Sequence, residues 1–216
     1  MTALSSLNLA GALILLCACV VPAQEVGDLR DLRIGMSINA IPADEYIDLR
    51  CAGKTDQTLV GWSDFRKCPQ DAMGLRSIGF RFNEGLNPLA QVNDKYQGTR
   101  VAGHPVLLTL FIDEGGMIDG LLIDTDPQAR LFWRKKAHLL ALAVKSRYGE
   151  DGWQCHNIEP DAGETAVGGL FIKNHCEKVV GERKLLLDQR LYRRAGQPLQ
   201  DFVNETHVEI RRAGGG

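Results

Sequence analysis

The stretch that decides the fold is Pro105-Val106-Leu107-Leu108-Thr109-Leu110-Phe111-Ile112-Asp113-Glu114-Gly115-Gly116-Met117-Ile118-Asp119-Gly120-Leu121-Leu122-Ile123-Asp124. Its first eight residues are an almost unbroken apolar run, the mark of a buried strand. Asp113 to Gly116 has hairpin-turn chemistry, and Met117 to Asp124 returns as a second strand. Thr125-Asp126-Pro127 then announces a helix, with Asp126 as the capping residue and Pro127 at the first helical position. That helix is expected over about 127–148, ended by Gly149. Ala129, Trp133, Ala137, Leu140 and Val144 recur at helical spacing and should face the sheet.

Three more strands are expected beyond the helix, at Leu170–Lys173, Lys184–Tyr192 and Thr206–Arg211. In the last, Thr206, Val208 and Ile210 alternate with His207, Glu209 and Arg211. The predicted fold class is therefore α+β: antiparallel sheet with one long amphipathic helix packed on one face, and a smaller disulfide-bonded N-terminal region. Within that N-terminal region Ser37 should cap a short helix that Pro42 limits. Tyr46–Cys51 and Ser77–Phe82 read as strands, and Trp62 and Phe65 should pack beneath a disulfide. The polar run from Asn93 to Gly103 divides the chain. The expected organisation is a leader at 1–23, an N-terminal region at 24–98, a C-terminal region (β-β-α-β-β-β) at 99–213 and a flexible tail at 214–216. The two main regions either share one core or form two lobes.

Ile34-Gly35-Met36-Ser37 resembles the opening of the small envelope lipoprotein domains of the SmpA/OmlA type. The resemblance implies a helix pair next and a role in envelope assembly. It covers only this short opening, and Pro42 interrupts the helix pair.

No side chain from Met1 to Gln24 is charged, and Leu9 to Val21 is an apolar run. That run is shorter than the roughly 20 residues a membrane span needs, and it fits a signal peptide. Cleavage is expected after Ala23, in Val21-Pro22-Ala23. Leu16-Cys17-Ala18-Cys19 offers a second reading, a lipoprotein box with lipid on Cys19, and an uncleaved anchor is a third. All three place the body outside the cytoplasm, in the periplasm or secreted. No transmembrane helix is expected in the mature chain. Beyond the leader lie Cys51, Cys68, Cys155 and Cys176, an even number in an exported chain, which implies disulfides. Sequential pairing is the economical choice. If Cys155 faces Cys176 across an antiparallel pair, His156 faces His175 on the opposite side of the sheet. That alternation opposes one zinc ion held by Cys155, His156, His175 and Cys176 together, but leaves His156 and His175 as a metal-site candidate.

The formal net charge is −2, which argues against a nucleic-acid binder. Locally the balance differs: Arg130, Arg134, Lys135, Lys136, Lys145 and Arg147 occur with no acidic residue between Gln128 and Tyr148. Arg130, Arg134, Lys135, Lys145 and Arg147 are the anion-binding candidates, for an anionic lipid, a glycan or an acidic protein of the envelope. Asp119, Asp124 and Asp126 invite a calcium reading, but the EF-hand spacing is not met. Asn204-Glu205-Thr206 matches a glycosylation sequon. No nucleophile elbow, zincin motif or phosphate loop is present. His104, beside Pro105 at a strand start, is the candidate for a catalytic base. No cofactor is implied. The reading is an exported, disulfide-stabilised, non-catalytic binding or accessory module. The alternatives are a small periplasmic hydrolase with an unrecognised carboxylate or histidine site, and a metal-handling protein using His156 and His175.

Overall fold

The computed structural model describes residues 27–54, 57–92, 98–198 and 200–214. The leader, with its cleavage site, Cys17 and Cys19, lies outside the described residues. Among these residues nine strands form: β1 (Tyr46–Cys51), β2 (Arg76–Phe82), β3 (Arg100–Val101), β4 (His104–Ile112), β5 (Ile118–Thr125), β6 (Gln154–Asn157), β7 (Ile172–Val180), β8 (Arg183–Tyr192) and β9 (Val203–Arg212). They lie in the order β1-β2-β4-β5-β9-β8-β7-β6, with β3 added beside β4, and every pairing is antiparallel. The central hairpin forms as its residues dictate. The Met117 amide donates to Asp113 Oδ1 at 2.8 Å, and Gly116 adopts φ 81°. That left-handed conformation favours glycine because a Cβ would crowd the backbone.

Alternation sets the buried face. Leu108, Leu110 and Ile112 of β4 point the same way as Leu121 and Ile123 of β5, Leu185 and Leu187 of β8, and Val208 and Ile210 of β9. Each such side chain contributes about 1.5–3 kcal/mol when fully buried. The core continues into the N-terminal region. Ile78 and Phe80 of β2 belong to it, as do Trp62 and Phe65 from a 3-10 turn at Trp62–Lys67. Residues on both sides of the Asn93–Gly103 divider thus share one sheet and one core.

The single long helix expected over about 127–148 is not formed, and the protein is mostly β. Asp126 does cap a turn, accepting the Gln128 amide at 2.8 Å, but the turn does not propagate. Besides α1 (Pro88–Val92), the helices are α2 (Leu131–Arg134) and α3 (Leu139–Tyr148). The break between α2 and α3 has a tertiary cause. Thr206 Oγ1 donates to the Ala137 carbonyl at 2.9 Å, Gln189 Nε2 donates to the His138 carbonyl at 3.3 Å, and the His138 amide donates to Asn204 Oδ1 at 3.1 Å. Polar side chains of β8 and β9 therefore hold the backbone where an uninterrupted helix would use it, and buried groups must be satisfied. From the expected stripe, Ala137, Leu140 and Val144 are buried, joined by Ala141. Gly149, at φ 87°, ends α3, and Lys178 Nζ donates to the carbonyls of Tyr148, Gly149 and Asp151.

The strand order after the helices also differs from expectation. Among the described residues four strands follow, because β6 forms, and the strand expected at Leu170–Lys173 begins at Ile172 and extends to Val180. Its alternation is hidden by polar residues such as Asn174 and Lys178. Disulfides join Cys51 to Cys68 and Cys155 to Cys176. Cys155 pairs with Cys176 and His156 with His175 across β6 and β7. Ser37 accepts the Asn39 amide and caps one 3-10 turn, Ile38–Ala40. The chain then runs into β1, so the helix pair implied by the envelope-lipoprotein resemblance is absent.

Candidate functional site

Two polar features stand out, on different parts of the sheet. The first is a cleft of about 520 Å³. One wall is the β3–β4 turn with Arg100, Gly103 and His104; the second is Trp133, Lys136 and Leu139; the third is Glu84 and Asn87 with Arg30. Among the described lining residues Arg30, Arg100 and Lys136 outnumber the one carboxylate, Glu84, which pairs with Arg30 at 3.1 Å. Aromatic faces position the cations. The Arg100 guanidinium lies 4.5 Å from the Trp133 ring centre, and Lys136 Nζ lies 4.1 Å from that of Phe132. Such contacts favour a cation, and the Arg100 guanidinium also donates to the Gly103 carbonyl at 3.1 Å. His104 is 7% exposed, and its Nδ1 has no hydrogen-bond partner among the described residues. Burial, then the neighbouring His138, Arg100 and Lys136, push its pKa below the ordinary histidine value. That shift favours the uncharged imidazole, and Arg100 and Lys136 supply positive charge to the cleft.

The second feature is the sheet face away from the core. Register aligns Asp124, His207, Asp188, His175 and His156 in one row across β5, β9, β8, β7 and β6. His207 Nδ1 lies 2.6 Å from Asp124 Oδ1, and His175 Nδ1 lies 2.6 Å from Asp188 Oδ1. His175 Nε2 meets Glu177 at 3.1 Å. A depression of about 370 Å³ opens beside His207, lined by Asp124, Asp188, Arg190, Glu205 and Leu107 among others. Further along, Arg211 lies over the Phe111 ring with 3.6 Å to its centre. Gly120 permits this, since a Cβ there would come within 2.6 Å of Arg211 Cδ.

These carboxylates act on the imidazoles with a definite sign. Hydrogen bonds to Asp124 and Glu209 raise the His207 pKa to about 10. The His207 and Arg211 contacts lower Glu209 to about 2. A raised folded-state pKa stabilises fully below the unfolded value near 6.5 and loses that contribution as pH climbs through 10. Glu209 behaves oppositely: its contribution is complete above about pH 4.5 and is lost as pH falls through 2. His207 is 37% exposed, so solvent screening reduces its share to roughly 1–2 kcal/mol. Thermal melts should therefore be flat near pH 5–6 and decline toward pH 10. His207→Gln should make that alkaline decline shallower, with the remainder carried by His175, which Glu177 and Asp188 also raise. An identical decline in the variant would show that the row does not hold an imidazolium.

The residues singled out from the sequence are dispersed. His104 enters the cleft wall. Arg130 and Lys135 are exposed near α2, and Arg134 borders a small recess with Asp126 and Asn204. Lys145 instead packs over the disulfide, 3.8 Å from each of Cys155 and Cys176 Sγ. Arg147 hydrogen-bonds the Gly27 carbonyl. The helix break thus separates the two ends of the basic run. His156 and His175 share a face, but both ring nitrogens of His175 are engaged by carboxylates. Among the described residues no group of three or more His, Cys, Asp or Glu side chains gathers as a metal site. Asn204 is 8% exposed and accepts the His138 amide, so its sequon is structural. Arg30 and Arg100 escaped sequence reasoning. Only the spacing of Trp133 and Lys136, three apart on one helical face, hinted at the cleft. No protein family, curated protein or solved structure matches the chain.

Proposed function

We propose that this is an exported, non-catalytic binding module that takes an anionic ligand in the cleft between the β3–β4 turn and α2. Two disulfides support an oxidising compartment, and no helix among the described residues is long and apolar enough to cross a membrane. The observation that carries the anion reading is the convergence of Arg30, Arg100 and Lys136 around a 520 Å³ cleft whose described lining holds one carboxylate, Glu84. Cations fixed against aromatic rings lose little freedom on meeting an anion, which favours binding. Of the basic candidates from the sequence, Arg130, Arg134 and Lys135 lie on or beside α2 and strengthen the local field. Lys145 and Arg147 already have protein contacts.

Retention on a sulfated dextran column tests this. Wild-type protein should bind at low salt and elute as salt rises, because screening weakens exposed charge pairs. Lys136→Glu should weaken binding about tenfold, since reversing one charge alters the interaction by roughly 1–2 kcal/mol. Lys54→Glu changes net charge equally on an exposed loop and should leave retention nearly intact. Equal losses in the two variants would mean that only bulk charge matters, and the cleft reading would fall.

A further inference from the structure

The rim of the cleft differs chemically from its floor. Thirteen large hydrophobic side chains among the described residues are exposed, and six of them fall on the two segments that border the cleft. Phe132, Leu139 and Leu142 project from α2 and α3, with exposures of 59%, 38% and 59%. Leu86, Leu89 and Val92 belong to the segment that follows Glu84. Leu139 lines the cleft itself. Leu142 lies one turn further along the same side of α3, opposite the buried Leu140, Ala141 and Val144. Phe132 is fixed edge-on against Trp133 at 5.2 Å.

We infer that the cleft docks on the surface of an anionic lipid bilayer, with Arg100 and Lys136 at the phosphate level and Leu139, Leu142 and Phe132 entering the interface. This rests on the cleft taking an anion. Charge complementarity selects the occupant: no acidic residue occurs from Gln128 to Tyr148, while Arg130, Arg134 and Lys135 add to the cleft's cations. A soluble glycan or an acidic peptide segment would satisfy those charges and leave the exposed aliphatic rim in water. A bilayer interface accepts both, because apolar side chains reach the acyl boundary while cations meet headgroups. Charge or apolar insertion alone gives marginal, reversible attachment, and the two together hold a peripheral protein. The aromatic pair suits this depth, since amphipathic rings concentrate at the interface.

Co-sedimentation with phosphatidylglycerol–phosphatidylcholine vesicles, against phosphatidylcholine alone, tests the inference on the disulfide-bonded protein. Wild type should bind the anionic vesicles at least tenfold more tightly than the neutral ones. Leu142→Ser, at an exposed position outside the cleft lining, should lose about fivefold on anionic vesicles yet keep its retention on sulfated dextran. Leu142→Gln serves the same purpose should the serine variant melt early. Lys136→Glu should lose both. If the Leu142 variants bind vesicles as wild type does, lipid docking is overturned while anion binding stands. If millimolar glycerol phosphate displaces wild type from vesicles, the ligand is a soluble phosphate and the docking is likewise overturned. If wild type binds neither vesicles nor dextran, the anion reading itself fails.

Discussion

Replacing Asp28 by Ala is expected to lower the unfolding free energy by about 3 kcal/mol, the cost of removing one partner from a buried ion pair. Asp28 is 5% exposed and serves three elements at once. Its carboxylate accepts the Ile34 amide at 2.9 Å, the Arg183 guanidinium of β8 at 2.5 Å and the Tyr148 hydroxyl of α3 at 3.4 Å. Its own amide donates to the Leu32 carbonyl. The carboxylate therefore anchors the N-terminal segment, whose Leu29 and Leu32 are both buried in the core. Loss of the anchor strands polar groups away from water and loosens those leucines together. Urea melts would register the change, and a double-mutant cycle with Arg183→Ala should return a coupling above 1 kcal/mol. A loss under 1 kcal/mol for Asp28→Ala would mean that the buried leucines and the segment's other hydrogen bonds suffice to hold it.

Removing the Cys51–Cys68 bridge is expected to cost a similar amount, while removing Cys155–Cys176 should cost clearly less. In the chain-entropy account, closures of 17 and 21 residues are each worth about 3 kcal/mol. Their positions in the fold separate them. Cys51 and Cys68 are each 1% exposed and join β1 to the Trp62–Lys67 turn, whose Trp62 packs on Tyr46 and Phe80. Opening that bridge releases part of the core. Cys155 lies on β6, the short edge strand, all four residues of which are exposed. Opening its bridge frees an edge that contributes little buried surface, so local fraying should replace global loss. Amide exchange on Cys155→Ala/Cys176→Ala should speed up in β6 and leave β4 and β5 protected. Early global melting of that variant, equal to the loss in Cys51→Ala/Cys68→Ala, would contradict this ranking.

The elements that sequence alone determined are those set by neighbours along the chain. Pro105 to Asp124 made its hairpin because turn chemistry at Asp113–Gly116 lies between two apolar runs. Ser37 capped its turn, Ile78, Phe80 and Phe82 shared a face, and the two cysteine pairs closed at short range. The pairing of His156 with His175 followed from strand parity once Cys155 faced Cys176. Parity tells which face a residue takes but not which strand will lie beside it. That limit explains the rest. β9 lies between its sequence neighbour β8 and the distant β5, and only this insertion aligns Asp124, His207 and Asp188. The same strand brings Asn204 and Thr206 under residues 137–138, where their hydrogen bonds outcompete the helical continuation that local propensity favours. The candidate cleft depends on that break, since it turns Trp133 and Lys136 toward Arg100 and Arg30. Cations more than thirty positions apart carry no mutual signal along a chain. Their convergence is a product of sheet order and of buried polar groups finding partners, and tertiary packing alone decides both.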